Sequence, residues 1–151
     1  MSAKTGRHLS SLGPFNLVTA DGSIDCQDDP AEQEITVASL LAAETITALA
    51  SLKLGGSFVL KTFTWFENSS VSLLYLLCCS FGKVSAVKPV ASKEGNSEVY
   101  VVCQTFKGLA AETEDALWSI YGNQFFQENV PEDFIVKVRD ASLYFLELQV
   151  I

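Results

Sequence analysis

The period of the apolar positions changes several times along this chain, and each change marks an element boundary. Phe15–Ala20 is a short apolar-rich run that ends at Asp21-Gly22-Ser23, a turn signal, and predicts a strand. Asp29-Pro30-Ala31-Glu32 has the form of a helix start: Asp29 can cap, Pro30 suits the first helical position and Glu32 can complete a capping box. Ile35, Ala38, Leu41 or Ala42, Thr45, Leu49 and Leu52 then recur every three or four residues. They predict an amphipathic helix from Pro30 to about Leu52, stopped by Gly55-Gly56. Ser57 to Lys61 is apolar on both faces, the pattern of a buried strand in a parallel sheet. Strand, helix and strand make a parallel crossover unit, which places the chain in the α/β class.

Ser69 and Ser70 can cap a second helix from Val71 to about Phe81, ended by Gly82, whose Leu/Cys stripe is expected in the core. Lys83–Val87 and Glu98–Gln104 predict two further strands. The loop between them, about ten residues, is too short for a helical crossover, so the pair is expected to be an antiparallel hairpin. Beyond it, Ala110–Tyr121 predicts a helix. Pro131 opens another, with Phe134, Val138, Ala141, Phe145 and Leu148 at spacings of four and three; a strand at Leu143–Ile151 competes for its end. Met1–Gly13 is polar and is read as a tail. The chain therefore divides into a flexible tail (1–13), a sheet-forming body (14–108) and a helical packing extension (109–151).

These elements bring three charged residues to one place. Asp21 and Lys61 both close strands that run the same way. The hairpin then returns Glu98, the first residue of the antiparallel strand, to the same sheet edge. Open α/β sheets bind ligands at that edge. Each residue also has a plainer explanation. Lys61 either snorkels to solvent or is met there by carboxylates, since lysine is rarely buried unpaired. Asp21 can simply form the turn.

Composition narrows the function. The chain has 151 residues, 48% of them hydrophobic and 19% charged, enough for one globular core. A net charge of -8 argues against general nucleic-acid binding through a basic face, though not against a local nucleotide site. The four cysteines, Cys26, Cys78, Cys79 and Cys103, form no C-x-x-C pair, which favours reduced thiols in an intracellular setting. The single histidine, His8, lies in the polar start, and no His/Cys set has metal-ligand spacing, so no metal is expected. Met1–Gly13 lacks the apolar core of a signal peptide, and Val71–Cys79 is too short to span a bilayer, so no membrane is expected as a partner.

Several segments in order carry a resemblance: Leu17-Val18-Thr19-Ala20-Asp21-Gly22-Ser23, Gln33-Glu34, Gly55-Gly56-Ser57-Phe58-Val59-Leu60-Lys61, Lys88-Pro89 and Asn96-Ser97-Glu98-Val99-Tyr100-Val101-Val102. Together they resemble the FtsJ-like ribose 2'-O-methyltransferases, and within them the eukaryotic mRNA cap branch that acts on the second transcribed nucleotide (cap 2). The match runs from about Phe15 to Lys107. The resemblance implies a partial Rossmann-like, S-adenosylmethionine-dependent methyltransferase fold, made of the later strands with the last antiparallel, followed by a helical C-terminal tail. It implies methyl transfer from S-adenosyl-L-methionine to a ribose 2'-hydroxyl of capped mRNA, in the nucleus or cytoplasm. Asp21, Lys61 and Glu98 match the last three members of the family's Lys-Asp-Lys-Glu tetrad; Lys61 would take the hydroxyl proton and Asp21 would also face the cofactor. Asn96 and Ser97, beside Glu98, are the matching candidates for RNA contact. The first lysine and the glycine-rich cofactor loop have no counterpart here, so residues 14–108 are expected to be the carboxyl-terminal half of a catalytic domain.

The chemistry of Lys61 turns on that missing lysine. An amine with a pKa of about 10.4 must be pulled down toward operating pH to act as a base. Asp21 and Glu98 push the other way, because nearby carboxylates favour the ammonium. The chain alone is therefore expected to be incompetent. A non-catalytic remnant binding RNA or a protein through the same face is the alternative function, and a purely structural α/β fragment a third. Phe63, Trp65 and Phe66, just past Lys61, either stack on a base or pack beneath the loop. Lys88, Lys93 and Lys107 either touch phosphates or belong to a solvated face.

Overall fold

A computed structural model describes residues 2–24, 33–90, 97–123 and 129–148. Its centre is one mixed sheet of four strands: β1 (Phe15–Ala20), β2 (Leu52–Thr62), β3 (Phe81–Val87) and β4 (Val99–Phe106), in the order β1-β2-β4-β3. β1 and β2 are parallel, with Val18 opposite Phe58 and Ala20 opposite Leu60. β4 runs antiparallel to both β2 and β3, so the hairpin is present and its second strand inserts between β2 and β3. The helices are α1 (Ala3–Ser10), α2 (Gln33–Ser51), α3 (Asn68–Ser80), α4 (Ala111–Ser119) and α5 (Glu132–Glu147).

The core forms where α2 and α3 lie on the sheet. Phe58, Leu60, Leu77, Phe81, Val99, Val101 and Cys103 are almost wholly enclosed. α2 is 19 residues of mostly apolar side chains, and 11 of them are buried, which accounts for a composition apolar enough to span a bilayer. Ile35, expected on its inward stripe, is exposed; Val37 takes the inward position instead. In α3 the leucines are the core, while Cys78 and Cys79 face outward, so only half of the Leu/Cys stripe packs as expected. Cys103 is a buried free thiol, and burial pushes its pKa up to about 12.

The glycine pair acts differently from the helix stop expected of it. α2 ends at Ser51 and β2 begins at once, so Gly55 and Gly56 lie inside the strand. The β1–β2 register slips there: Phe15 faces Leu52, yet Leu17 already faces Ser57. Gly55 has a φ of +77°, and a Cβ on Gly56 would come within 2.9 Å of the Lys53 carbonyl oxygen. The pair thus makes a bulge, a role glycine fills because it tolerates left-handed φ and close backbone approach. The Asp29-Pro30 helix start lies outside the described residues.

The polar amino-terminal segment is a helix rather than a loop. Ser2 caps α1 by accepting from the Thr5 N–H at 3.3 Å. Arg7 lies over the Trp118 ring at 4.7 Å, and Gly6 sits flush against the Tyr121 ring, where a side chain would collide. These contacts give a predominantly polar segment something to dock on. At the other end, the spacing of Phe134, Val138, Ala141 and Phe145 does describe one inward face of α5, which packs on Trp65 and Tyr75. The helix runs to Glu147, so helix prevails over strand there.

Leu77 is fully enclosed and Leu54 is 72% exposed, which gives a matched test of this packing. Leu77→Ala should cost about 2–5 kcal/mol in urea unfolding, and Leu54→Ala no more than about 0.5 kcal/mol. Equal effects would contradict the placement of α3 on the sheet.

Candidate functional site

Lys61 lies at the carboxyl end of β2, opposite Tyr100 of β4, and is only 6% exposed. Its stem follows an apolar strand, so its ammonium can leave the core only at the strand's end. There it meets partners from two other segments. Asp21, the residue after β1, places Oδ1 2.7 Å from Nζ, and its backbone carbonyl oxygen accepts from the same ammonium at 3.1 Å. Glu98, the residue before β4, places Oε1 4.0 Å from Nζ. Parallel pairing of β1 with β2 and antiparallel pairing of β2 with β4 produce this meeting. The structure therefore brings Asp21, Lys61 and Glu98 together, and the plain alternative of a lysine snorkelling alone is set aside.

Burial alone would lower the Lys61 pKa. The hydrogen bond to Asp21 and the charges of Asp21 and Glu98 outweigh it, and the net direction is upward. Lys61 is thus an ammonium at neutral pH, charged and nearly enclosed.

A third carboxylate, Glu44, was not anticipated from the sequence. It projects from α2 toward the same corner and accepts from the Gly22 N–H at 3.0 Å through Oε1. Its Oε2 is buried with no hydrogen-bond partner among the described residues. Its pKa is raised, chiefly by burial, against the opposing pull of the Gly22 N–H and Lys61. The available signal was a lone acid inside the apolar run Leu40-Leu41-Ala42-Ala43-Glu44-Thr45-Ile46. Gly22 lets the Glu44 carboxylate approach closely, and a Cβ there would make that carboxylate shift.

The remaining candidates separate. Phe63 and Trp65 are buried: the Trp65 ring packs edge-on against Phe145 at 5.6 Å and its Nε1 donates to Thr62. Phe66 is 51% exposed, so of the three aromatics it is the one whose face solvent reaches. Lys88 donates to the Glu98 carbonyl oxygen at 3.2 Å, on the site side. Lys107 follows the far end of β4 and donates to the Cys79 carbonyl oxygen, at the opposite sheet edge from the site. Ser97 donates to Gln33 Oε1 at 3.0 Å. Asn96 and Lys93 lie outside the described residues.

Beside Asp21 a cleft of about 430 Å³ opens along the outer edge of β1, walled by Leu9, Leu17, Thr19, Glu44 and Thr47. Among the described residues β1 pairs on one side only, and Leu17 is 55% exposed. Among the described residues no group of three or more His, Cys, Asp or Glu is arranged to hold a metal ion.

Residues 2–106 match the model of the family described as FtsJ-like methyltransferase. The chain is 60% identical over 103 residues to cap-specific mRNA (nucleoside-2'-O-)-methyltransferase 2 of Mus musculus, covering 68% of this chain and 13% of that protein. It is 46% identical over 153 residues to the protein of the same name from Danio rerio, covering 95% of this chain and 21% of that protein. Cap-specific mRNA (nucleoside-2'-O-)-methyltransferase 1 of Bos taurus is 39% identical over 105 residues, covering 70% of this chain and 13% of that protein. The chain spans between 13% and 21% of the length of these relatives. A solved structure described as Alphavirus P23pro-zbd superposes with a TM-score of 0.57 at 20% identity, over 79% of this chain and 19% of that one, a likeness of fold alone.

The raised pKa of Lys61 fixes the sign of a pH effect. A group whose folded pKa lies above its unfolded one stabilises fully below the ordinary lysine value of about 10.4, and that stabilisation is lost as pH rises through the folded value. Asp21→Asn should therefore bring the Lys61 pKa down and flatten this alkaline loss. NMR titration of the Lys61 side chain checks it, and an unchanged titration would contradict the ion pair.

Proposed function

Because the chain belongs to the FtsJ-like methyltransferase family, we propose that it forms the later part of a catalytic domain that methylates a ribose 2'-hydroxyl of capped mRNA. Of the relatives compared above, the two named cap-specific mRNA (nucleoside-2'-O-)-methyltransferase 2 share more identity with the chain than the one named methyltransferase 1, which supports the second transcribed nucleotide as the target. The single observation that carries this reading is the convergence of Asp21 and Glu98 on a nearly buried Lys61.

The roles follow from geometry and charge. Among the described residues Lys61 is the cation held where Asp21 and Glu98 meet, so its Nζ faces the hydroxyl and is the acceptor for its proton. Acceptance requires the free amine, and the two carboxylates oppose that. A second cation brought close in the complete domain would lower the pKa and release the base. Asp21 and Glu98 orient Lys61 and favour positive charge beside them, which suits a cationic methyl donor. Asn96 and Ser97 directly precede Glu98 in the sequence and are the candidates for RNA contact. The Ser97 oxygen keeps acceptor capacity after donating to Gln33.

S-adenosylmethionine supplies the methyl group. The fit of the described residues to it is partial: the Asp21 carboxylate and the apolar wall of the adjoining cleft suit one side of a cationic, adenosine-bearing molecule. The only adjacent glycines, Gly55 and Gly56, are occupied in the β2 bulge. In this reading other parts of the catalytic domain supply a backbone cradle for the adenosine, the cation that activates Lys61 and a strand pairing with β1. The compartment that matches this function is intracellular, nuclear or cytoplasmic. The alternative, a remnant that binds RNA or protein without catalysis, gains support from the protonated state of Lys61.

Purified as it stands, the chain should not methylate capped RNA and should show no micromolar binding of S-adenosylmethionine. A longer protein that includes this segment and the preceding cofactor loop should do both. Calorimetry and a methyl-transfer assay on capped RNA check this. Repeated turnover by the isolated chain would show that the base needs no further cation.

A further inference from the structure

Two adjacent side chains at the start of α2 reach different parts of the site's rim. Glu34 is buried at 6% exposure, an unusual place for a carboxylate. Both of its oxygens are engaged. Oε2 accepts from Thr64 Oγ1 at 2.5 Å and from the Phe66 N–H at 3.1 Å, and Oε1 accepts from the Glu67 N–H at 2.7 Å. All three donors lie in the segment that leaves β2 just after Lys61. That segment leads into α3, whose N-cap Glu67 makes no side-chain capping bond of its own. Glu34 also sits in the first turn of α2, where the helix dipole favours a negative charge.

Gln33 reaches the other way. Its Oε1 accepts from Ser97 Oγ at 3.0 Å, and Ser97 is the residue before Glu98. The Glu98 backbone is held a second time, through its carbonyl oxygen, by Lys88. The Glu98 carboxylate stands 4.0 Å from Lys61, the limit of an ion pair, so an outward displacement would end the direct contact. The catalytic roles proposed above make no use of Gln33 or Glu34.

We propose that Gln33 and Glu34 are positioning residues: Glu34 anchors the first turn of α2 to the 64–67 segment, and Gln33 uses that anchored turn to fix Ser97, and through it the distance of Glu98 from Lys61. The charge of Glu34 is what makes the anchor firm, because a carboxylate offers acceptors alone to three donors, and an amide in its place would turn an N–H₂ toward one of them. The proposal concerns the triad's geometry, and it rests on the methyltransferase reading only for why that geometry matters.

The Lys61 side-chain pKa, read by NMR on the full chain without cofactor or RNA, reports the distance of Glu98. Gln33→Ala and Ser97→Ala should each shift it downward by a similar amount, and the double variant should shift it no further. Gln33→Glu keeps the acceptor and should not shift it downward. Glu34→Gln should produce a downward shift in the same direction, with faster amide exchange at Phe66 and Glu67. None of these shifts should exceed that of Glu98→Gln. A Lys61 titration unmoved in Gln33→Ala and Ser97→Ala, with thermal unfolding also unchanged, would overturn the proposal. So would additive shifts in the double variant. Because no methyl transfer is measured, a negative result here leaves the proposed activity standing, and an inactive complete domain leaves the positioning role standing.

Discussion

A single ammonium group, enclosed at the end of a strand, sets the terms for everything around it. Lys61 cannot be placed where it is without compensation, since an isolated charge in a low-dielectric setting is costly. Asp21 and Glu98 provide that compensation, and they arrive from two separate chain segments. The sheet order follows the same constraint: β1 must lie beside β2 and parallel to it to deliver Asp21, and β4 must lie on the other side and antiparallel to deliver Glu98. The Gly55-Gly56 bulge corrects the register between β1 and β2 so that the strand ends coincide.

The same electrostatics that stabilise the site restrain its chemistry. Carboxylates that allow a lysine to be enclosed also keep it protonated. The proton-accepting role proposed for Lys61 therefore calls for a further positive charge nearby to lower its pKa. Glu44 adds to the picture as a half-buried acid on the flank of Asp21, whose pKa is raised by burial. The corner thus gathers three acids around one base, and the balance of charge there depends on what approaches from the open side of β1.

Much of this could be read from residue order. The strand ends at Asp21 and Lys61 follow from apolar runs cut off by a turn or a charge, and the place of Glu98 follows from loop length alone, because ten residues cannot carry a helical crossover. Other features depend on partners that no local pattern reveals. The α1 helix exists because Arg7 and Gly6 meet Trp118 and Tyr121, more than a hundred positions later. Gly55-Gly56 has the composition of a helix stop, yet serves as a bulge because β1 closes on it. Glu34 and Glu44 look like solvated helix acids until the loops they bind are folded over them. Trp65 was equally open to stacking or packing, and Phe145 of α5 decides it.

The central claim is that Lys61 serves the ribose hydroxyl and not the cofactor. It is tested most directly by Lys61→Ala in a complete catalytic domain that carries this segment, with methyl transfer to capped RNA and S-adenosylmethionine affinity measured on the same preparation. The account predicts that transfer is abolished while cofactor affinity stays close to that of the unmodified protein. Retained turnover, or loss of cofactor binding as the principal effect, would contradict it.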